Sequence, residues 1–234
     1  NQNKQMKSFK QFVFESASSE FDQKRKALSS HYKGFSKEER NSIKAYTGEA
    51  ALNEYIHTHI HGDKPRYKDI GGKWDDDTKK EYDQHIGHMD SALSKHKTPI
   101  DMHTYAAVRF DPRKTENNTY HSKGYFSSSI SYPEARRFSS GAFTGERSTP
   151  HIIKLKVPKG SPGAYVRKYS DPEFAHQEEF ISPRGTKIRY TGKSYEHNGK
   201  MIHECELDQK MDESVKKEHG IQNMQHNMIY DLKD

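Results

Sequence analysis

The stretch Gly124-Tyr-Phe-Ser-Ser-Ser-Ile130 is the part of the chain that decides the fold. Aromatic and β-branched residues on either side of small serines, entered through a glycine, predict a short strand. Similar short runs recur after Pro99, separated by Gly, Pro, Asn and Ser. They include Val108 and its neighbours and residues 152–157, 164–166, 179–182, 187–191 and 201–207. The second half of the chain is therefore predicted to be rich in β-strands.

The first half has a helical pattern instead. Apolar residues recur at helical spacing between Ser18 and His61, and Ser36-Lys-Glu-Glu39 is a capping-box sequence that predicts a helix start. A further helix is expected from Ala50 to Ile60, and another from near Asp75 toward Leu93. Helices followed by strands predict an α+β fold and not alternating βαβ units.

The composition excludes several classes of protein. The 234 residues carry 39 Lys+Arg against 33 Asp+Glu, a formal charge of +6, and only 30% are hydrophobic. No run of about 18 apolar residues is present, so no membrane span or membrane partner is expected. No apolar segment follows the N-terminal lysines, so a secretory signal is not expected either. The single cysteine, Cys205, excludes an intramolecular disulfide and a cysteine-rich metal site.

Two clusters of metal-ligating residue types do not make a convincing metal site. His57, His59 and His61 alternate, but on a helix their side chains point in different directions. The run Asp75-Asp76-Asp77 lacks the alternating ligands and glycine of a calcium loop, and it suits a helix N-terminus. No metal is therefore expected.

Three motifs in the strand-rich half keep a fixed order: Tyr105-Ala-Ala-Val-Arg109, then Gly124–Ile130, then Phe174-Ala-His-Gln-Glu-Glu179. In these motifs the sequence resembles the Arg-Ser-Glu class of mono-ADP-ribosyltransferases, closest to the clostridial Rho-modifying exoenzymes and the binary actin-modifying toxins. The resemblance spans roughly residues 20–207. It implies two small antiparallel sheets packed together, flanked by N-terminal helices, and NAD as the substrate.

The chemistry agrees with the roles that this resemblance implies. A chain with no glycine-rich phosphate loop needs a cation for the NAD pyrophosphate, and the fork of Arg109 can grip it bidentately. Splitting the nicotinamide bond leaves an oxocarbenium-like ribose, which the carboxylate of Glu179 would stabilise. Ser127 would orient that carboxylate or the ribose through its hydroxyl. Arg109, Ser127 and Glu179 are thus the predicted catalytic residues.

The resemblance also implies further contacts to NAD. The predicted cofactor-binding residues, beyond the three catalytic ones, are Tyr46, Asn53, Ser129 and Arg147. Where relatives often carry an arginine after the asparagine of the cleft helix, this chain has His57, so one NAD contact is expected to be weaker or pH-dependent. Glu178 is a further departure, and it would raise the pKa of one carboxyl group if it were buried together with Glu179.

The loop before Glu179 bears on the acceptor of ADP-ribose. Relatives that modify arginine carry a glutamate at the position of Gln177, and an amide cannot act as a base. Arginine is therefore disfavoured as the acceptor. The pair Phe174 and Gln177 accompanies two acceptor types in relatives, the asparagine side chain of a protein and the guanine of DNA, RNA or nucleotides, and a pI near 9.1 does not decide between them.

The ends of the chain suggest how the protein is delivered. Residues 1–15 resemble the removable capsid-targeting leaders of internal head proteins in large tailed phages, so a flexible or removable leader is expected there. The domain is expected over residues 16–208, with a helix or tail over 209–234. This predicts a monomer that is packaged in a virion, or secreted, and acts on macromolecules in the host cytoplasm. A non-catalytic internal virion protein is the remaining alternative.

Overall fold

A computed structural model describes residues 9–65, 74–140 and 151–208, with side chains from Glu20 onward. The α-helices are α1 (Phe9–His31), α2 (Lys37–Gly48), α3 (Ala51–Tyr55), α4 (Asp76–Lys95) and α5 (Tyr132–Ser139). The strands are β1 (Met102–Val108), β2 (Thr119–His121), β3 (Phe126–Ser129), β4 (His151–Val157), β5 (Ala164–Tyr165), β6 (Glu179–Ser182), β7 (Lys187–His197) and β8 (Lys200–Asp208). The α+β class with N-terminal helices is confirmed.

The helix starts follow the predicted capping chemistry. Ser36 Oγ accepts the backbone N–H of Glu39, while the Glu39 carboxylate accepts the backbone N–H of Ser36, at 3.1 and 2.9 Å. Asp75 caps α4 by accepting the backbone N–H of Thr78 at 2.8 Å. The predicted capping box and the predicted capping role of the aspartate run are therefore both confirmed.

The helix predicted from Ala50 to Ile60 forms, but its type changes part of the way along. The α-helix α3 is followed directly by a π-helical turn over Ile56–Ile60. Such widened turns often occur at functional sites, because they shift the direction of the side chains that follow. The turn here begins three residues after Asn53, one of the predicted NAD contacts.

The eight strands form one mixed sheet in the order β2-β7-β8-β4-β1-β3-β6-β5. All neighbouring pairs are antiparallel except β4 and β8, which are parallel. The pair β1 and β3 joins the sheet through a single registered pair, Tyr105 opposite Ser129. We call this single pair the β1–β3 seam. The two sheets expected from the sequence are therefore joined there into one sheet, with β3, β6 and β5 on one side of the seam and the other five strands on the other side.

The hydrophobic core lies between the helices and the sheet. Buried side chains of α2 and α4 belong to the same apolar cluster as buried strand residues, among them Ile43, Met89, Leu155 and Phe180. Burying these side chains is the main favourable term that holds the helices on the sheet. Within the described residues, no helix is both long and apolar enough to span a membrane.

One buried ion pair ties α4 to the turn after β6. The Arg184 guanidinium lies 2.6 Å from Oδ2 of Asp90, and only 1% of the arginine side chain is exposed. The Tyr125 hydroxyl donates to the other carboxylate oxygen of Asp90 at 2.8 Å. A buried charge is tolerated when it is paired and hydrogen-bonded, and this pair fixes the helix layer beside β3.

Candidate active site

The three sequence motifs come together on three adjacent strands. Arg109 directly follows β1, Ser127 lies within β3, and Glu179 is the first residue of β6, and these strands are neighbours in the order β1-β3-β6. Residues up to 70 positions apart in the sequence thus share one region of the sheet. Arg109 is exposed at the end of its strand.

Register puts the polar groups of β3 and β6 on one face. Ser129 pairs with Glu179 across the two antiparallel strands, and Ser127 lies two residues before Ser129. Directly paired residues share a face, as do alternate residues of one strand. The side chains of Ser127, Ser129 and Glu179 therefore stand on the same side of the sheet.

A chain of hydrogen bonds leads to Glu179. The Ser127 hydroxyl is hydrogen-bonded to the Glu179 carboxyl group, and it donates this bond when the group is ionised, because a carboxylate can only accept. The Tyr46 hydroxyl lies 2.6 Å from Ser127 Oγ, and in that ionised state it donates to the serine. Tyr46 in turn accepts from Nδ2 of Asn53 at 3.0 Å. We call Asn53, Tyr46, Ser127 and Glu179 the carboxylate chain.

The backbone directly before β3 orients the Asn53 amide, which starts this chain. Asn53 Oδ1 accepts the backbone N–H of Tyr125 at 3.2 Å, while its Nδ2 donates to the carbonyl of Tyr125 at 3.3 Å. This close approach depends on Gly124, where a Cβ would lie 2.6 Å from Asn53 Oδ1. A glycine is needed here because any side chain would push α3 away from β3.

The environment of Glu179 favours a neutral carboxyl group in the free protein. The side chain is half-buried, and desolvation raises its pKa to about 7, whereas the hydrogen bond from Ser127 acts in the opposite direction. Among the described residues, no cation contributes to this pKa, so the ionised carboxylate is suited to interact with positive charge that develops on a substrate.

Ser129 has a structural contact that its predicted NAD role did not include. Its hydroxyl donates to the carbonyl of Gln177 at 2.7 Å and accepts the backbone N–H of Ser131 at 3.0 Å. The backbone N–H of Ile130 also donates to the carbonyl of Glu178 at 3.0 Å. These bonds fix the loop that enters β6 against the end of β3.

Glu178 points away from Glu179 into a separate cluster. Its buried carboxylate accepts a hydrogen bond from the Tyr165 hydroxyl and lies 3.2 Å from Arg25 and 2.9 Å from Arg167. Its backbone is left-handed, with φ of 53°, which reverses the chain between the two glutamates. We call Glu178, Arg25, Tyr165 and Arg167 the Glu178 anchor. The two carboxylates are therefore not buried together, which was the condition for a mutual effect on pKa, and it is burial that raises the pKa of Glu179.

The two predicted acceptor residues lie at a short 3₁₀ turn before β6. Phe174 directly precedes the turn, Ala175–Gln177, Gln177 ends it, and both predicted residues are half-buried. Phe174 also lines a cavity of about 460 Å³ that is formed with α2, whose other walls include Lys44 and Asp171. The aromatic ring therefore faces a recess next to the loop that carries Gln177.

Two predicted contacts to NAD remain, those of Arg147 and His57. Arg147 lies outside the described residues. His57 lies near Gly124 and is bonded through Nδ1 to Asp63 at 3.1 Å. The same aspartate accepts from Lys123 at 2.6 Å, and these two bonds, that from Lys123 first, lower the pKa of Asp63. The position where relatives carry an arginine is thus occupied by a histidine already held by a carboxylate.

The alternating histidines of the cleft helix do not converge in the structure. His59 stacks on Tyr55 with ring centroids 4.9 Å apart, and His57 is held by Asp63. In the part of the chain that the structure describes, one group of three residues can hold a metal ion, namely Asp111, His151 and His203. The sequence reasoning missed this group, since its members lie on separate elements with no signature spacing.

Comparison with known proteins gives one family and a consistent set of folds. The sequence model described as ADP-ribosyltransferase exoenzyme matches residues 17–224. A search of curated proteins finds no match. Among solved structures, the fold resembles Plx2a, an ADP-ribosyltransferase toxin from Paenibacillus larvae, at 21% identity and a TM-score of 0.58, over 81% of this chain and 96% of that one.

Two further structures show the same fold. An ADP-ribosyltransferase from Clostridium botulinum is 20% identical with a TM-score of 0.57, over 81% of this chain and 94% of that one. A protein from S. aureus, solved with NAD, is 18% identical with a TM-score of 0.56, over 82% of this chain and 96% of that one. At these identities the likeness supports the fold, while the family rests on the sequence match.

Proposed function

The chain belongs to the ADP-ribosyltransferase exoenzyme family, and we propose that its carboxylate chain splits the nicotinamide glycosidic bond of NAD and directs ADP-ribose to a macromolecular acceptor. The observation that carries this proposal is the bond between Ser127 and a desolvated Glu179, next to the strand that Arg109 directly follows.

In this mechanism each residue acts on a different part of NAD. Arg109, with Arg147, neutralises the pyrophosphate, since a guanidinium fork binds phosphate oxygens bidentately. Tyr46 and Asn53 orient Ser127, and Ser129 holds the loop that enters β6. The bond between the ribose and the nicotinamide nitrogen then breaks, and nicotinamide leaves with the bonding electrons. The ionised Glu179 stabilises the cationic ribose until a nucleophile attacks it and loses its proton.

Replacement of Glu179 by Gln tests this assignment. The Glu179→Gln variant keeps the shape but removes the charge, and we expect nicotinamide release from NAD to fall by roughly 100-fold or more. Glu196→Gln, an exposed acid on β7, is the matched control and should be unchanged. Wild-type release at background would overturn the enzyme assignment and favour a non-catalytic virion protein. Equal rates in wild type and Glu179→Gln would remove Glu179 from the mechanism.

For the acceptor we propose an asparagine side chain of a host protein, in preference to arginine. Gln177 offers a donor and an acceptor but no base, and Ser129 fixes its backbone at the entrance to β6. Gln177→Ala should leave NAD hydrolysis intact and impair transfer, as measured by labelled ADP-ribose on host proteins. Equal loss of hydrolysis and transfer would contradict a role in acceptor recognition.

A charged substitution at Gln177 gives a second test of whether the acceptor is arginine. Agmatine, a small guanidinium compound, should accept little ADP-ribose from the wild type. Gln177→Glu restores the glutamate that arginine-modifying relatives carry and is expected to raise transfer to agmatine. Efficient modification of agmatine by the wild type would show that the acceptor assignment is wrong.

Guanine is the second candidate acceptor. Phe174 lines an open recess where a base could stack. It lies three residues before Gln177, so both side chains could contact the same base. Labelled NAD with nuclease-treated host lysate, compared with purified DNA and RNA, separates the two acceptors. Label on protein alone supports asparagine chemistry, and label on nucleic acid supports guanine.

Domain limits and delivery also remain proposals. We infer a monomeric catalytic domain over residues 16–208 with a removable leader at 1–15 and a tail at 209–234, delivered into a host from a virion or by secretion. Helix α1 crosses the proposed boundary after residue 15. Mass spectrometry of the protein from its natural particle or culture medium would locate its mature N-terminus.

A further inference from the structure

Asp111, His151 and His203 converge from three elements on the side of the β1–β3 seam opposite to Glu179. His151 begins β4 and His203 lies in β8, and the parallel register pairs His151 with Met201. Met201 and His203 are alternate residues, so both histidines stand on one face of the sheet. Asp111 joins them from the connection after β1, the strand that pairs with β4.

The ligand atoms are close enough to share one ion. His151 Nδ1 lies 2.9 Å from His203 Nε2, and one carboxylate oxygen of Asp111 completes a set whose atoms all lie within 4.8 Å of one another. Tetrahedral zinc, with bonds of about 2.0 to 2.2 Å, holds its ligands roughly 3.3 to 3.5 Å apart. Binding would thus require the two imidazoles to separate slightly, and the carboxylate oxygen would have to move by no more than about 1.5 Å.

Surrounding groups hold two of the three ligands in place, as is usual around metal sites. Ser194 Oγ lies 2.8 Å from the other ring nitrogen of His203, so this bond aims Nε2 at the cluster. An irregularity of β7 between Tyr190 and Ser194 places the serine opposite His203. The guanidinium of Arg113 donates to both oxygens of Asp111 at 2.9 and 2.7 Å, which leaves lone pairs for a metal.

We propose that Asp111, His151 and His203 bind one divalent transition-metal ion, with Zn²⁺ the preferred ion and a water in the fourth position. Two imidazoles select against Ca²⁺ and Mg²⁺, which prefer all-oxygen sites, and suit zinc or its chemical neighbours. The site crosslinks the connection after β1 to β4 and β8. Because Asp111 lies two residues after Arg109, the bound ion would also steady the strand end that carries this arginine.

Direct binding to the full chain, without an affinity tag and stripped of metal, tests the proposal. Titration with Zn²⁺ by calorimetry should show one equivalent bound, and Co²⁺ should give the intense visible absorption bands of a four-coordinate ion. Absence of stoichiometric Zn²⁺ binding by the wild type would overturn the proposal and leave the histidines as a hydrogen-bonded pair.

Variants locate the site and control for folding. His151→Gln and Asp111→Asn, both at partly exposed positions, should each weaken Zn²⁺ binding by about 100-fold or more, and Ser194→Ala by about 10- to 100-fold. His121→Gln, an exposed histidine on β2, should bind as the wild type does. Circular dichroism checks that each variant is folded. Unchanged binding in both ligand variants would place the ion elsewhere and contradict the proposal.

Discussion

The carboxylate chain and the Glu178 anchor contain consecutive glutamates, and they surround the two carboxylates in opposite ways. Glu178 is buried against two guanidinium groups and a tyrosine hydroxyl, so its charge is compensated. Glu179 has a neutral serine as its hydrogen-bond partner, and desolvation raises its pKa to about 7. The Glu178 anchor holds the loop before β6 in position. The carboxylate chain instead keeps a charge at Glu179 that is costly to the free protein and that, in the proposed mechanism, stabilises positive charge on the ribose.

The largest expected effect on stability is at the ion pair between Arg184 and Asp90. Asp90→Asn removes the carboxylate charge that lies 2.6 Å from a guanidinium at 1% side-chain exposure, so we expect a loss of about 3 to 5 kcal/mol in the free energy of unfolding. Denaturant unfolding measures this loss, and Asp77→Asn, an exposed aspartate of the same helix, should change little. A loss below about 1 kcal/mol would show that this pair is not needed to hold α4 on the sheet.

The two consecutive glutamates should respond oppositely to the same substitution. Glu178→Gln removes a compensated charge beside two partly exposed arginines and should lower the free energy of unfolding by about 1 to 2 kcal/mol at pH 8. Glu179→Gln removes a desolvated charge and should raise it by about 1 to 2 kcal/mol at the same pH, after allowance for solvent screening.

The sign of the second effect follows from the raised pKa. Folding favours the protonated form of Glu179, so its contribution to stability is complete below its ordinary pKa and is lost as the pH rises through about 7. The gain from Glu179→Gln should therefore vanish near pH 4. A loss of stability in Glu179→Gln at pH 8 would contradict the contrast between the two regions.

Sequence patterns captured the local parts of this architecture. The capping box at Ser36, the N-cap at Asp75 and the strands that carry Ser127 and Glu179 all depend on neighbouring residues, and all form as predicted. The hairpin of β7 and β8 extends further than predicted, around Asn198-Gly199 with φ of 52° and 72°. An Asn-Gly pair is a strong hairpin signal, so this extension was readable from the sequence.

Features that depend on contacts between distant residues could not be predicted from local sequence patterns. The parallel pairing of β4 with β8 and the single registered pair at the β1–β3 seam arise from tertiary packing. The same holds for the Glu178 anchor, in which Arg25 and Arg167 come from regions 142 residues apart. The candidate active-site residues could be predicted because the resemblance supplied their order, whereas the group around His203 had no such guide.

The pH dependence of kcat/KM for nicotinamide release tests the role of the carboxylate chain most directly. The reaction needs Glu179 ionised, so the wild-type rate should rise with pH and level off above an inflection near pH 7, the pKa of this group in the free protein. Ser127→Ala removes the hydrogen bond that lowers this pKa, so its inflection should move to higher pH. Ser140→Ala, at an exposed serine, should leave the inflection in place. A wild-type profile that is flat between about pH 5 and pH 9, or an inflection that Ser127→Ala does not move, would contradict the account.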